Sequence, residues 1–298
     1  MTAIPPELSA ARERFLDLVA ELRPDLHRYC SRLVGSAIDG EDVVQETLAK
    51  AYYAMSLSPE VPPLRPWLLR IAHNTAIDFL RRYERRFVEP VDDIAENAPA
   101  ANEARPDVVR AALSSFVALP VLQRSSVILK DVLGLSLEEI ADTTGTTVPA
   151  VKSALNRGRT TLRNQPGQDL VPWRDRPETS RDERALLDRY VALFNARDWD
   201  GVESLLSEEC RLDLVSKSLR RGKKQVAPYL GNYAREDVRL AVGRAEGRDV
   251  IGVFRPSRSD RPEYIIALQP EGDRVGLIRD WRYVPYLIGE IAFEIEDA

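Results

Sequence analysis

Residues 136–163 hold the side chains best suited to reading a polyanion. Between Val148 and Arg163 the chain carries Lys152, Ser153, Asn156, Arg157, Arg159 and Arg163 and no acidic residue. Val148, Val151, Leu155 and Leu162 recur at helical spacing on the other side, so the polar set shares one face. An α-helix fits the major groove of DNA, where short polar side chains and guanidinium groups reach base edges and phosphates. The preceding residues supply the support such a helix needs. Ser136 and Glu139 form a capping-box pattern, Leu137, Ile140 and Ala141 an apolar face, and Gly145 a turn residue free to take positive φ. Thr147 can cap the second helix, and Pro149 fits its first turn, where an amide hydrogen has no partner to lose. The pattern is a helix-turn-helix. Its rival is a plain helical hairpin with a solvated basic face.

A second polar row is carried by Asn74, Asp78, Arg81, Arg82 and Arg85, on one side of a helix predicted over residues 64–86. Leu68, Ile71, Ala72, Thr75 and Phe79 face its core side. Amide and carboxylate groups can hydrogen-bond bases, and the arginines can neutralise phosphates. A helix is also predicted over 41–55, with Val43, Val44, Thr47, Leu48, Ala51, Tyr52 and Met55 inward and Asp42, Gln45, Glu46 and Lys50 outward. Residues 8–22 and 25–34 give two more amphipathic segments, interrupted at Pro24. A proline-rich loop is expected at 56–63, and an acidic, proline-containing linker at 87–106. Residues 107–134 read as two helices divided near Pro120.

After a second linker at 164–179 the pattern changes. A helix is expected over 181–197, then period-two alternation at Cys210, Leu212 and Leu214, a helix over 224–234, and strand-like runs at 238–243, 250–254, 264–268 and 275–283. That is an α+β domain. The fold class expected for the whole is multidomain: two all-α DNA-binding domains, the second a helix-turn-helix, then the α+β domain. The 298 residues suffice for two or three cores. The net charge of -5 excludes a wholly basic binder but not local basic faces. Cys30 and Cys210 match no metal-ligand spacing and are expected to be reduced, buried hydrophobes. No secretion signal or membrane span is expected, so the localisation read from the sequence is cytoplasmic. No metal or cofactor is expected. Histidine occurs only at 27 and 73, which leaves the C-terminal third without the commonest general base.

Residues 39–52, 66–82 and 119–136, the last running on into the helix-turn-helix, resemble three passages of the extracytoplasmic-function class of bacterial sigma factors. The resemblance implies partners: core RNA polymerase and promoter DNA. It assigns Asp42, Gln45 and Glu46 to a polymerase contact, and Asn74, Asp78, Arg81, Arg82 and Arg85 to the minus-ten element. The loop at 56–63 sits where the family captures an unpaired base, and Trp67 reads as a core residue rather than a stacking platform. Lys152, Ser153, Asn156 and Arg157 match the family's minus-thirty-five positions, with Arg159 and Arg163 on the backbone. The implied domains are region 2 at 8–86, a linker at 87–106, region 4 at 107–163, a linker at 164–179 and a further domain at 180–298. That last part resembles SnoaL-like domains of the NTF2-like superfamily, cones of curved sheet, through residues 189–202, 221–223 and 278–282. Sigma factors bearing such an extension imply regulation in cis, by intramolecular contact with the sigma domains, with a small-molecule ligand as a further candidate partner. Candidate cone-cavity residues are Asp213, Tyr233, Asp280 and Tyr283, with Tyr229 and Tyr286 also available. No enzymatic activity is expected. The alternatives are a ligand-sensing helix-turn-helix regulator and a DNA-binding module fused to a cone-domain enzyme.

Overall fold

The computed structural model describes residues 15, 17–57, 62–87, 116–117, 119–164, 179–291 and 293–295, excepting the side chains of 84–87. Except for the helix ends Phe87 and Asn164 and for residue 179, both expected linkers lie outside these, as does the middle of the loop at 56–63. The chain divides into two compact units, residues 1–172 and 173–298.

The first unit is helical. Helix α1 spans Arg23–Val34; the expected interruption falls at residues 20–22, just before it, and Pro24 sits in its first turn. Gly35, at φ 80°, ends it. Helix α2 (Ala37–Ser56) begins four residues earlier than the apolar pattern suggests, because the Ser36 hydroxyl accepts from the Asp39 amide and caps it. Helix α3 spans Leu64–Phe87. Helix α4 (Val121–Val127) runs into a π-turn over Ile128–Val132, then α5 (Leu137–Thr144) and α6 (Val148–Asn164) follow. The capping box at Ser136 and Glu139 is formed, Gly145 takes φ 65°, and the Ala150 amide donates to Thr147 Oγ1 at 3.4 Å.

One continuous core joins the helices on either side of residues 88–115. It includes Leu26, Tyr29 and Leu33 of α1, Leu68 and Leu69 of α3, and Ile140, Val151 and Leu155 of α5 and α6. Three polar devices cross the same seam. The buried Arg124 guanidinium donates to the Leu33 carbonyl at 2.5 Å and to Val117 and Leu119 carbonyls at 2.6 and 3.0 Å. A cation at the end of α1 also complements that helix's dipole. Arg70 donates to the Asp142 carbonyl and Arg65 to that of Leu133. The Tyr29 hydroxyl lies 2.7 Å from His73 Nδ1, with Ser125 Oγ at 3.5 Å.

The second unit opens with α7 (Arg181–Asn195), whose capping box is Ser180 and Glu183, and α8 (Trp199–Ser204). Then come β1 (Leu206–Leu214), β2 (Ser218–Arg221), α9 (Lys223–Leu230), a 3₁₀ turn at Gly231–Arg235, β3 (Arg239–Ala245), β4 (Arg248–Phe254), β5 (Tyr264–Glu271), β6 (Arg274–Asp280) and β7 (Phe293–Ile295). The seven strands form one sheet in the order β2-β1-β6-β5-β4-β3-β7. Among the described strands only β1 and β6 pair in parallel. Leu212, Leu214, Ile251, Val253, Ile266 and Ile278 share one core with Leu187, Tyr190 and Phe194 of α7, so that helix covers the sheet. With the helical first unit this gives the multidomain class expected, α then α+β.

Two predictions follow from the packing of the first unit. A Cβ on Gly40 would sit 2.6 Å from the backbone of Ser31, so α1 and α2 touch there main chain to main chain. Alanine gains about 1 kcal/mol of helix propensity but overpacks a rigid contact. Chemical denaturation of Gly40→Ala is expected to show a net loss of about 2 kcal/mol. Burial pushes the His73 imidazole down to about 4. A histidine whose pKa falls on folding contributes stability above its unfolded pKa of about 6.5. That contribution should fade as pH drops through 4. The wild-type chain is expected to lose stability over this window more steeply than His73→Gln, as read from denaturation midpoints at each pH.

Candidate nucleic-acid and polymerase interface

Helix α6 buries Val151, Ala154, Leu155 and Gly158 against the core. A Cβ on Gly158 would approach Val127 Cγ2 at 2.9 Å, so the helix lies close on α4. With that side pinned, Lys152, Ser153, Asn156, Arg157, Arg159 and Arg163 are all exposed. They form one row of donors on a helix held by a tight turn, the geometry needed to enter a groove. Arg159 differs from the others. Its Nε and Nη2 donate to the two Asp131 oxygens at 2.9 and 2.5 Å. Asp131 comes from the π-turn, and sequence reading missed it because five-residue hydrogen-bond spacing leaves no compositional mark.

On α3, Asn74, Asp78, Arg81 and Arg82 are exposed, and the Arg85 side chain lies outside the described residues. Trp67 is partly buried against the core. On α2, Asp42, Gln45 and Glu46 are each half-buried. Glu46 Oε2 accepts from Arg82 Nη2 at 2.9 Å, and Glu46 Oε1 pairs with Lys50 Nζ at 2.9 Å. Burial works to raise the Glu46 carboxyl, but these cations outweigh it and hold it below the usual range. The two rows read separately from the sequence are therefore joined by one ion pair. Gln45 Nε2 is buried without a hydrogen-bond acceptor among the described residues.

Inside the α+β unit the structure brings together the candidates Asp280, Tyr233 and Tyr229 and adds Tyr264. Asp280, at 0% exposure, accepts from Tyr229 and, at 3.1 Å, from Tyr233. The Tyr233 hydroxyl lies 2.6 Å from that of Tyr229 and 2.9 Å from that of Tyr264. Asp280 Oδ1 accepts the Arg282 amide at 2.7 Å. Burial raises the Asp280 carboxyl above the usual range against the pull of these donors. Burial, then the nearby carboxylate, pushes the Tyr233 and Tyr229 phenols upward as well. Asp213 and Tyr283 stand elsewhere. Asp213 accepts from Arg279 Nε at 3.3 Å, and Tyr283 is 44% exposed beside Lys217. Tyr264 was legible only through register: it opposes Val253 on β4, two residues before the Ile266 that opposes Asp280.

Among the described residues no group of three His, Cys, Asp or Glu side chains is arranged to hold a metal. No helix among them is long and apolar enough to cross a membrane. Cys30 and Cys210 are both buried free thiols.

Comparison with known proteins places these features. Residues 18–86 match sigma-70 region 2, and residues 111–162 match sigma-70 region 4. The ECF RNA polymerase sigma factor SigG of Mycobacterium tuberculosis is 32% identical over 231 residues, covering 67% of this chain and 61% of that protein. The chain thus spans about 61% of the length of that curated relative. The crystal structure of the extracytoplasmic function sigma factor SigJ of Mycobacterium tuberculosis is similar over 88% of this chain and 95% of that one, at 21% identity and a TM-score of 0.35. An NTF2-like protein from Cytophaga hutchinsonii is similar over 33% of this chain and 87% of its own, at 10% identity and a TM-score of 0.27. With regions 2 and 4 in order along the helical unit, the chain belongs to the extracytoplasmic-function sigma factors of the sigma-70 family, in a form that carries a further α+β domain.

Proposed function

We propose that this chain binds core RNA polymerase and directs it to promoters, and that it performs no catalysis of its own. The observation that carries this reading is the exposed face of α6: Lys152, Ser153, Asn156 and Arg157 project from a helix pinned to the core by Val151, Leu155 and Gly158. These four read the minus-thirty-five element, and Arg159 and Arg163 hold its backbone. Asn74, Asp78, Arg81, Arg82 and Arg85 act on the minus-ten element, where strand separation exposes bases at about a few kcal/mol each. Asp42, Gln45 and Glu46 form the polymerase contact. Polymerase arginines meeting that face would compete with Arg82 and Lys50 for the Glu46 carboxylate. The compartment of action is the cytoplasm.

The cone is proposed to regulate in cis, by contact with the sigma domains, with a small-molecule ligand as the candidate effector. Against the enzyme reading stands the enclosure of Asp280, whose oxygens are taken by Tyr229, Tyr233 and the Arg282 amide. A general acid or base must reach the proton it transfers.

Three measurements test the proposal. In multi-round transcription with purified core polymerase, the wild-type chain is expected to start RNA at a defined promoter set. The double charge reversal Asp42→Arg/Glu46→Arg should abolish co-elution with core while leaving the helical circular-dichroism signal intact; initiation at wild-type levels would sink the polymerase contact. Removing residues 181–298 is expected to change promoter output at least several-fold in one direction, and equal output from both forms would count against any role in cis.

A further inference from the structure

We infer that the β2–α9 edge of the C-terminal unit is a second, sequence-independent binding site for the phosphate backbone of duplex DNA. The chain as a whole is acidic, yet residues 214–235 contain six Lys or Arg and no Asp or Glu. Five of the six fall within 217–224, as Lys217, Arg220, Arg221, Lys223 and Lys224. The structure places all five along one border of the sheet, since β2 is its terminal strand and α9 starts directly after it. Lys217, Arg221 and Lys224 are exposed and the other two half-exposed. Among the described residues none of the five takes part in an ion pair, whereas cations elsewhere in the unit, such as Arg255, Arg279 and Arg282, hold carboxylates.

This arrangement works against folding. Arg211 on β1 lies directly opposite Arg221 on β2, and like charges facing across paired strands destabilise the ladder. Lys223 and Lys224 open α9 with no acidic residue in its first turn. Positive charge crowded in this way is relieved by a polyanion, and several cations along one border suit a phosphate backbone rather than a single small ion. The neighbouring groove of about 400 Å³ is not the seat, because Glu209 and Glu271 share its lining with Arg211 and Arg221. Duplex DNA is the occupant favoured over an acidic protein surface because the same chain already presents the α6 row. A weak electrostatic site tethered to a specific one gains through effective concentration. This choice of occupant rests on the promoter reading above, but the test is independent of transcription.

The experiment measures binding of the full chain to a 30-base-pair duplex lacking promoter sequence, by fluorescence anisotropy over a salt series. Each phosphate neutralised adds about 0.9 to the slope of log affinity against log salt. Replacing Arg220, Arg221, Lys223 and Lys224 together by Gln should therefore flatten that slope by up to about 3.5 and weaken low-salt binding by about tenfold or more. A variant with Arg220→Lys and Arg221→Lys should bind as wild type. If the four-fold Gln variant melts at a lower temperature, Lys223→Gln/Lys224→Gln, which leaves the β-ladder untouched, decides with about half the slope change. Unchanged slope and affinity would overturn the inference. So would unchanged DNA binding with weakened association to core polymerase, which would identify an acidic protein surface as the occupant instead.

Discussion

A guanidinium taken out of water sets the arrangement of the helical unit. Arg124 is buried, and burial lowers its pKa to about 10, so its charge is held at a cost. Such a group stays charged only if its donors are all met. The acceptors here come from both sides of residues 88–115: the Leu33 carbonyl at the end of α1, and the Val117 and Leu119 carbonyls before α4. Separating the region 2 helices from those of region 4 would strand that cation. The shared core and the Tyr29, His73 and Ser125 cluster add to the same seam. In this conformation the exposed polar rows of α3 and α6 belong to one body, and their mutual placement is a property of packing rather than of a tether.

Much of this was readable from the amino acids because the signals were local. Ser136 with Glu139, Gly145, Thr147 and Pro149 each dictate a backbone conformation within a few residues, and the helix-turn-helix formed as its punctuation demanded. The inward face of α2 was equally clear, while its start was not. Ala37 to Gly40 looks like a turn, and Gly40 is a poor helix former tolerated because only a hydrogen fits against Ser31. Non-local facts left no such trace. The pairing of Glu46 with Arg82 links positions on different helices, and β2, four residues long and at the rim, has too few residues to show alternation. The core linking the two helical segments could not be foreseen either, since apolar faces do not name their partners.

The cone illustrates the same divide at its centre. Asp280 and Tyr233 attracted notice as residue types able to do acid–base chemistry, and they do meet. Yet the packing of α9 and the 3₁₀ turn on the sheet, which unites them with Tyr229 and Tyr264, also buries them in one core with Phe194 and Tyr190. Chemistry-bearing side chains brought together by a fold are not thereby accessible. What the unit offers its surroundings is carried on its outside: the Arg282, Glu236, Arg255 and Glu263 chain of ion pairs, and the cation-rich rim.

The sealed centre has a consequence for how this domain drifts over evolutionary time. Three phenols and one carboxyl share a single web of donors and acceptors, so changing one member orphans at least one other. Lone replacements are penalised where a concerted switch to an all-apolar filling would be tolerated. Lineages should therefore keep the quartet whole or lose it whole, with intermediates rare.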